Sequence, residues 1–262
     1  MINPTNYVVA IPTLQRSTTI VNKTLKVLSD KLVSPSRIFL FVASKLEQED
    51  YMKNVPEKLF NKIIIGEFGL KNQRNFITNY FEENICILQL DDDLKDINYL
   101  IPGIEKKFNE IYPISDLHNF ILEAFNNLIE KKLYIFGVYP VNNPFFMSDK
   151  VSTDLRFLTG PMFGIINRHN PKLLLELDEK EDFERTIKYY LLDKSIIRYN
   201  NITIDTSYYK GSGGMQEYYK DRYLEAEKSA NYLVAKYPDY CKKWYKGKSQ
   251  RPEIKFYRSK KS

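Results

Sequence analysis

Residues 85–93 read Ile-Cys-Ile-Leu-Gln-Leu-Asp-Asp-Asp, an apolar run of strand length that stops on three consecutive carboxylates. Unpaired charge is expensive inside a core, so Asp91, Asp92 and Asp93 have to emerge where the strand ends. In an open α/β sheet, ligands bind at the carboxyl ends of the strands. If strand geometry runs on through the acids, alternation puts Asp91 and Asp93 on one side, able to share a divalent cation. A hard cation such as Mg2+ or Mn2+, held by one or two carboxylates, keeps positions open for diphosphate oxygens. A strand-end turn with solvated acids is the competing reading, and the surrounding chain decides between them.

Working outward, residues 7–11 form a short apolar run closed by Pro12-Thr13, and residues 18–29 carry Ile20, Val21, Leu25 and Leu28 in a helical rhythm with Ser17 as N-cap. Residues 37–43 and 62–67 are two more strand-like runs, and a helix is predicted over 71–81 after Gly69. Strands alternating with helices predict parallel βαβ units and a wound sheet covered on both faces. No Gly-x-Gly-x-x-Gly loop is present, so phosphate has to be held by other means, and a cation on Asp91 and Asp93 is the obvious candidate.

Downstream, residues 115–131 place Ile121, Leu122, Phe125, Leu128 and Ile129 on one helical side, and 133–138 reads as a strand. Residues 139–156 mix Pro, Asn and aromatics, as in a loop beside a site. Gly160, Pro161 and Gly164 mark a strand over 157–166 whose backbone closely approaches something. A helix over 182–192, a strand over 195–205 and a helix over 217–237 complete the pattern. Between the last two lies Lys210-Gly-Ser-Gly-Gly-Met215, whose glycines permit backbone shapes other residues resist.

The 262 residues suffice for a sizeable core. No run approaches the roughly 20 apolar residues of a membrane span, and the N-terminus lacks a signal-peptide pattern. Two distant cysteines, Cys86 and Cys241, fit a reducing, cytoplasmic setting, and two histidines leave little room for zinc chemistry. The net charge of +6 is concentrated at the end: residues 242–262 hold nine Lys/Arg against one acid, leaving 1–241 at −2. Such a basic tail, interleaved with Trp244, Tyr245, Phe256 and Tyr257, suits phosphates and stacked bases.

The stretches Ala10-Ile-Pro-Thr-Leu-Gln-Arg-Ser17, Gly69-Leu-Lys-Asn-Gln-Arg-Asn75 and Leu88-Gln-Leu-Asp-Asp-Asp93 together resemble nucleotide-sugar glycosyltransferases of the GT-A fold, over roughly residues 5–215. Lys180-Glu-Asp182 and the segment from Lys210 onward resemble more narrowly the TET-associated glycosyltransferases, viral, phage and kinetoplastid proteins implicated in adding sugars to hydroxymethylated pyrimidines in DNA. The resemblance implies a mixed α/β sheet flanked by helices. It divides the chain into one catalytic unit over 1–241 (a nucleotide-binding half over 1–98, an acceptor half over 99–216 and a C-terminal helix over 217–241) and a basic tail over 242–262. It implies a Mn2+ or Mg2+ cofactor and a nucleotide-sugar donor, UDP-glucose, with DNA carrying modified bases as the acceptor.

On the matching residues, it implies that Pro12, Thr13 and Arg16 border the nucleoside, and that Arg74 and Asn75 face ribose and diphosphate. Asp91 and Asp93 would bind metal, while Asp92 would reach the ribose or sugar. Lys210 and Gly213 would fold over the diphosphate. Glu181 and Asp182 match a Glu-Asp at a helix start where a general base removes the acceptor's proton, Asp182 being the preferred base. An acid at a helix start is also stabilising through capping and dipole alone. The family's further histidine ligand has no counterpart, since neither His118 nor His169 stands near the C-terminal side. Alternatives are a glycan or protein acceptor, metal-independent transfer, and a non-catalytic DNA-binding module on a degenerate GT-A fold.

Overall fold

A computed structural model of the chain describes residues 2–206, 221–247 and 251–257. The expected parallel βαβ half is present. β1 (Val8–Pro12), β2 (Ile38–Val42), β3 (Lys62–Ile65) and β4 (Cys86–Leu90) pair side by side, all parallel. Their connections carry α1 (residues 17–30), α2 (Lys45–Asn54) and α3 (Leu70–Tyr80).

The second half extends the same sheet with mixed direction. It contains β5 (Leu94–Ile101), β6 (Glu110–Pro113), α4 (Leu117–Lys131), β7 (Ile135–Tyr139), β8 (Val151–Ser152), β9 (Met162–Ile166), α5 (Glu181–Asp193) and β10 (Ile197–Thr206). The strand order is β3-β2-β1-β4-β9-β7-β10-β5-β6, with β8 pairing β10. β9 runs antiparallel to both β4 and β7, which is where the sheet changes direction.

Alternation along the central strands sorts the core. Val9, Ile11, Leu88 and Leu90 point to the side covered by Leu25 and Leu28 of α1 and Ile121 and Phe125 of α4. Ala10 and Ile87 point to the other, with Ile77 of α3 and Tyr189 of α5. Burial on both faces is why these strands read as continuous apolar runs. The close approach expected around Gly164 is a real one: a Cβ there would lie 2.1 Å from the Phe136 ring on β7.

Several elements depart from the sequence expectations. α2 buries Tyr51 but shows no apolar stripe, so periodicity misses it. Its cap is nevertheless in the sequence, as Ser44 accepts from the Glu47 backbone N–H at 3.2 Å. In α1, residues Val21–Leu25 form a π turn, and the helix starts at Ser17 with Arg16 in the cap position.

The basic segment is also more than a tail. β11 (Cys241–Lys246) and β12 (Arg251–Phe256) form an antiparallel pair after α6 (Arg222–Lys236). Cys241 and Ile254 face inward onto Ala230, Leu233 and Tyr237. Both cysteines are free and buried, and among the described residues no helix is long and apolar enough to cross a membrane.

Candidate active site

The three acids occupy the turn from β4 to β5, because strand pairing stops at Leu90. Alternation therefore does not extend to them, and Asp91 and Asp93 are not held as a matched pair. Asp91 is drawn toward α3, where Arg74 Nη2 donates to its Oδ1 at 2.8 Å. Asp92 and Asp93 turn instead to Arg16, at 2.8 and 3.4 Å. Hydroxyls complete them: Thr13 donates to Asp92 Oδ2 and Thr206 to Asp93 Oδ1, both at 2.6 Å.

The turn is braced from beneath by Thr24 in the π turn of α1. Its hydroxyl donates to the Asp91 carbonyl at 2.7 Å and accepts from the Leu94 N–H at 3.0 Å. π turns are frequent at functional sites, and here the extra residue brings a buried hydroxyl against the acids. Tyr51 of α2 bonds the Thr13 hydroxyl at 2.6 Å, tying the end of β1 to the same cluster.

Electrostatics follow from this crowding. Burial pushes the Asp91 carboxyl up to about 6, with Asp93, Asp92 and Glu181 adding to the rise and Arg74 opposing it. Burial also raises Asp92, against the pull of Arg16 and Thr13. For Arg16, burial works against the charge, but Asp92, Asp93 and Asp91 outweigh it and its pKa rises.

Arg74 is 2% exposed, and its Nη donors are committed to Gln89 Oε1, Asp91 and the Gly160 carbonyl, while its buried Nε makes no hydrogen bond among the described residues. Asn75 does not join it. Its amide holds the 170s loop, donating to the Leu175 carbonyl at 3.0 Å and accepting from the Leu175 N–H at 2.8 Å. One position further round the helix, Asn75 does not line the cleft that Arg74 shares with the acids.

Across the cleft, α5 begins from Lys180, which has a left-handed φ of 63°. Glu181 is buried between two guanidiniums, its Oε2 accepting from Arg185 and its Oε1 lying 3.6 Å from Arg74 Nε. Asp182 is held more loosely, by the N–H groups of Phe183 at 3.0 Å and Gly160 at 3.3 Å. Burial pushes Asp182 up to about 7, and the neighbouring Glu181 charge adds to this against Arg185 and Lys180. A carboxyl raised in this way is placed to exchange a proton near neutrality. Arg185 stacks 3.5 Å from the Phe163 ring centroid, and burial lowers its pKa.

A cavity of about 890 Å³ joins these groups. Pro12, Thr13 and Arg16 line one end, Arg74 and Asp91–Asp93 the floor, and Glu181, Asp182, Phe157, Phe183 and Trp244 the far wall. Pro140 and Asn142 contribute from the loop after β7, as its composition suggested. Lys210 and Gly213 lie outside the described residues. His118 and His169 are engaged elsewhere, with Tyr7 and with the Phe81 carbonyl.

The sequence reading missed Thr24, Tyr51 and Thr206. Thr24 left a trace, as a polar residue one position before Leu25 in an otherwise apolar helical face.

Among the described residues, no group of three or more His, Cys, Asp and Glu side chains is arranged to hold a metal by itself. The donor set does fit a hard cation bound through one or two carboxylates and completed by substrate oxygens and water. Asp91 Oδ2 accepts no hydrogen bond among the described residues, and Asp93 Oδ2 receives only the long contact from Arg16.

No protein-family model matches the sequence, and no curated protein matches it. Solved structures do resemble it. S. aureus TarS 1–349 in complex with UDP-GlcNAc superposes with a TM-score of 0.56 at 15% identity, covering 87% of this chain. The chain spans 66% of that one, a little under two thirds of its length. Glucosyl-3-phosphoglycerate synthase from Mycobacterium tuberculosis, in complex with Mn2+, UDP and phosphoglyceric acid, gives 0.50 at 10% identity, covering 97% of this chain and 87% of that one. At such identities the likeness is one of architecture. The chain has the GT-A fold, a mixed sheet flanked by helices, in common with these proteins.

Proposed function

We propose that the chain is a glycosyltransferase that moves a hexosyl group from a nucleotide sugar to an acceptor hydroxyl, with Asp182 as the base. The observation that carries this reading is one cleft that combines an acid turn, the guanidiniums of Arg16 and Arg74 and, across from them, the Asp182 carboxyl with its raised pKa. The two GT-A neighbours were solved with UDP or a UDP-sugar, which supports a nucleotide-sugar donor.

In this reading Pro12, Thr13 and Arg16 border the nucleoside, and Asp92, fixed by Thr13 and Arg16, offers its remaining acceptor capacity to ribose or sugar hydroxyls. Asp91 and Asp93 would hold Mn2+ or Mg2+, which supplies positive charge against the leaving diphosphate. Arg16, kept charged by its three acids, adds cationic character at the same end of the cleft. Asp182 takes the acceptor's proton as its oxygen attacks the anomeric carbon, and its raised pKa matches that task. Glu181, committed to Arg185 and Arg74, positions Asp182 and keeps its proton affinity high.

The donor is read as UDP-glucose and the acceptor as a hydroxymethylated pyrimidine in DNA. The sequence resemblance and the basic, aromatic C-terminal segment support this choice over a glycan or protein acceptor. A base in a duplex would have to be flipped or presented single-stranded.

The test is incubation with a panel of nucleotide sugars, Mn2+ and hydroxymethylated DNA, followed by mass spectrometry of the digested nucleosides. A hexose mass increment that disappears in Asp182→Asn is expected. Absence of nucleotide-sugar binding and turnover across the panel refutes the transferase reading. Turnover with hydroxyl acceptors other than DNA refutes only the acceptor.

A further inference from the structure

The β11/β12 pair forms part of the cleft wall, and its two faces differ in chemistry. Residues directly opposite in an antiparallel pair share a face, and alternate residues do so along each strand. The register places Lys242 opposite Lys255 and Trp244 opposite Glu253. One face therefore carries Lys242, Trp244, Glu253 and Lys255. The other carries Cys241 and Ile254, buried against α6, and Lys243, paired with Glu227 of that helix.

The first face borders the cleft at its Trp244–Glu253 pair, since both line it together with Asp182, and Lys242 and Lys255 lie just beyond its lining. Glu253 is neutralised and tethered by Lys180 at 3.2 Å, two residues before Asp182. What remains is an indole, 41% exposed, and, one cross-strand pair along the same face, two exposed lysines that make no ion pair among the described residues. Like charges directly opposite on paired strands are unfavourable by themselves. An anion seated between Lys242 and Lys255 removes that penalty. Aromatic rings beside a row of cations are the means by which proteins hold single-stranded nucleic acid, the rings stacking bases and the cations following phosphates.

We infer that this hairpin face is an acceptor platform for a single strand of nucleic acid, with Trp244 stacking a base and Lys242 and Lys255 contacting phosphate. The inference rests on the acceptor proposed above and gives it a location. It also supplies a reason for the hairpin to be fastened to the start of α5: the tether fixes the distance between the stacked strand and the base Asp182. A duplex offers no free base face to Trp244, so the platform selects single-stranded or flipped substrate.

Trp244 is the sole tryptophan of the chain, so its fluorescence reports this site alone. The experiment titrates an unmodified single-stranded oligothymidylate into the full chain, without nucleotide sugar, at two salt concentrations. Saturable quenching that weakens with salt is expected. Labelled-strand anisotropy should show about 5- to 150-fold weaker binding in Trp244→Ala, and binding close to wild type in Trp244→Phe. Lys242→Gln with Lys255→Gln should flatten the salt dependence of log K by about 1.4, the share of two phosphate contacts on a single strand.

Strand binding without quenching, equal quenching by the duplex, or an unchanged salt slope in the double lysine variant overturns the platform. Quenching by a neutral oligosaccharide but not by DNA does the same. Because the titration holds no donor, the two readings fail separately: a chain that turns over donor without quenching loses only the platform, and one that quenches without turnover loses only the transferase.

Discussion

Asp182 gathers most of the chemistry in this cleft because it is half-buried, lies beside a second carboxylate and, among the described residues, is fixed by two backbone N–H groups. Replacing it by Asn keeps the shape and removes the proton acceptor, so transfer should fall by about 10²–10⁴-fold. Thr24 is the complementary case, a residue with no chemistry of its own that holds the acid turn. Thr24→Val leaves the Leu94 N–H without its hydroxyl acceptor, and a loss of about 1–3 kcal/mol is expected, read by denaturant unfolding. A raised KM for donor should accompany it, because Asp91 shifts with its carbonyl. Cation removal belongs to this scale too. With EDTA the rate should collapse and return with Mn2+, and an undiminished rate would show that Arg16 and Arg74 suffice without metal.

At the scale of elements, the parallel half was legible because strands buried on both faces announce themselves as unbroken apolar runs separated by helical segments. β5, β6 and the β11/β12 hairpin were not, since burial along β5 does not alternate strictly, β6 is largely exposed and the hairpin lies in a basic stretch without an apolar run. The candidate site was legible where a motif sat at the end of a legible strand, as with Thr13, Asp91 and Asp92. Strand alternation does not carry into the turn that holds Asp91 and Asp93, and Asn75, beside Arg74 on the helix, holds the 170s loop instead of the cleft. Gly164 shows what the strands demand of each other. Gly164→Ala drives a methyl into Phe136, and a destabilisation of about 1–3 kcal/mol is expected. Relief in the double variant with Phe136→Leu would trace that cost to this one contact, and no relief would place it elsewhere.

Over the whole molecule, the cleft stores instability. Asp91 and Asp182 both bind their proton more tightly in the folded chain than unfolded, since burial raises them to about 6 and about 7. Between pH 4 and 7 the folded state then holds more protons at these groups, and their contribution to stability falls as pH rises. Asp182→Asn should therefore melt higher than wild type at pH 8, and the gap should narrow toward pH 4 and close below about pH 3, where the wild-type acid is protonated in both states. The same titration has the opposite sense for catalysis, because only the ionised carboxylate can accept a proton. The most direct measurement is the pH dependence of kcat/KM for nucleotide-sugar turnover between pH 5.5 and 8.5, in wild type and Asp182→Asn. A rate that climbs through a pKa near 7 in the wild type, and is low and flat in the variant, is the expected result. A wild-type profile that is flat over this range, or a variant within tenfold of wild type, would contradict Asp182 as the base and with it the assignment of this cleft as a transferase site.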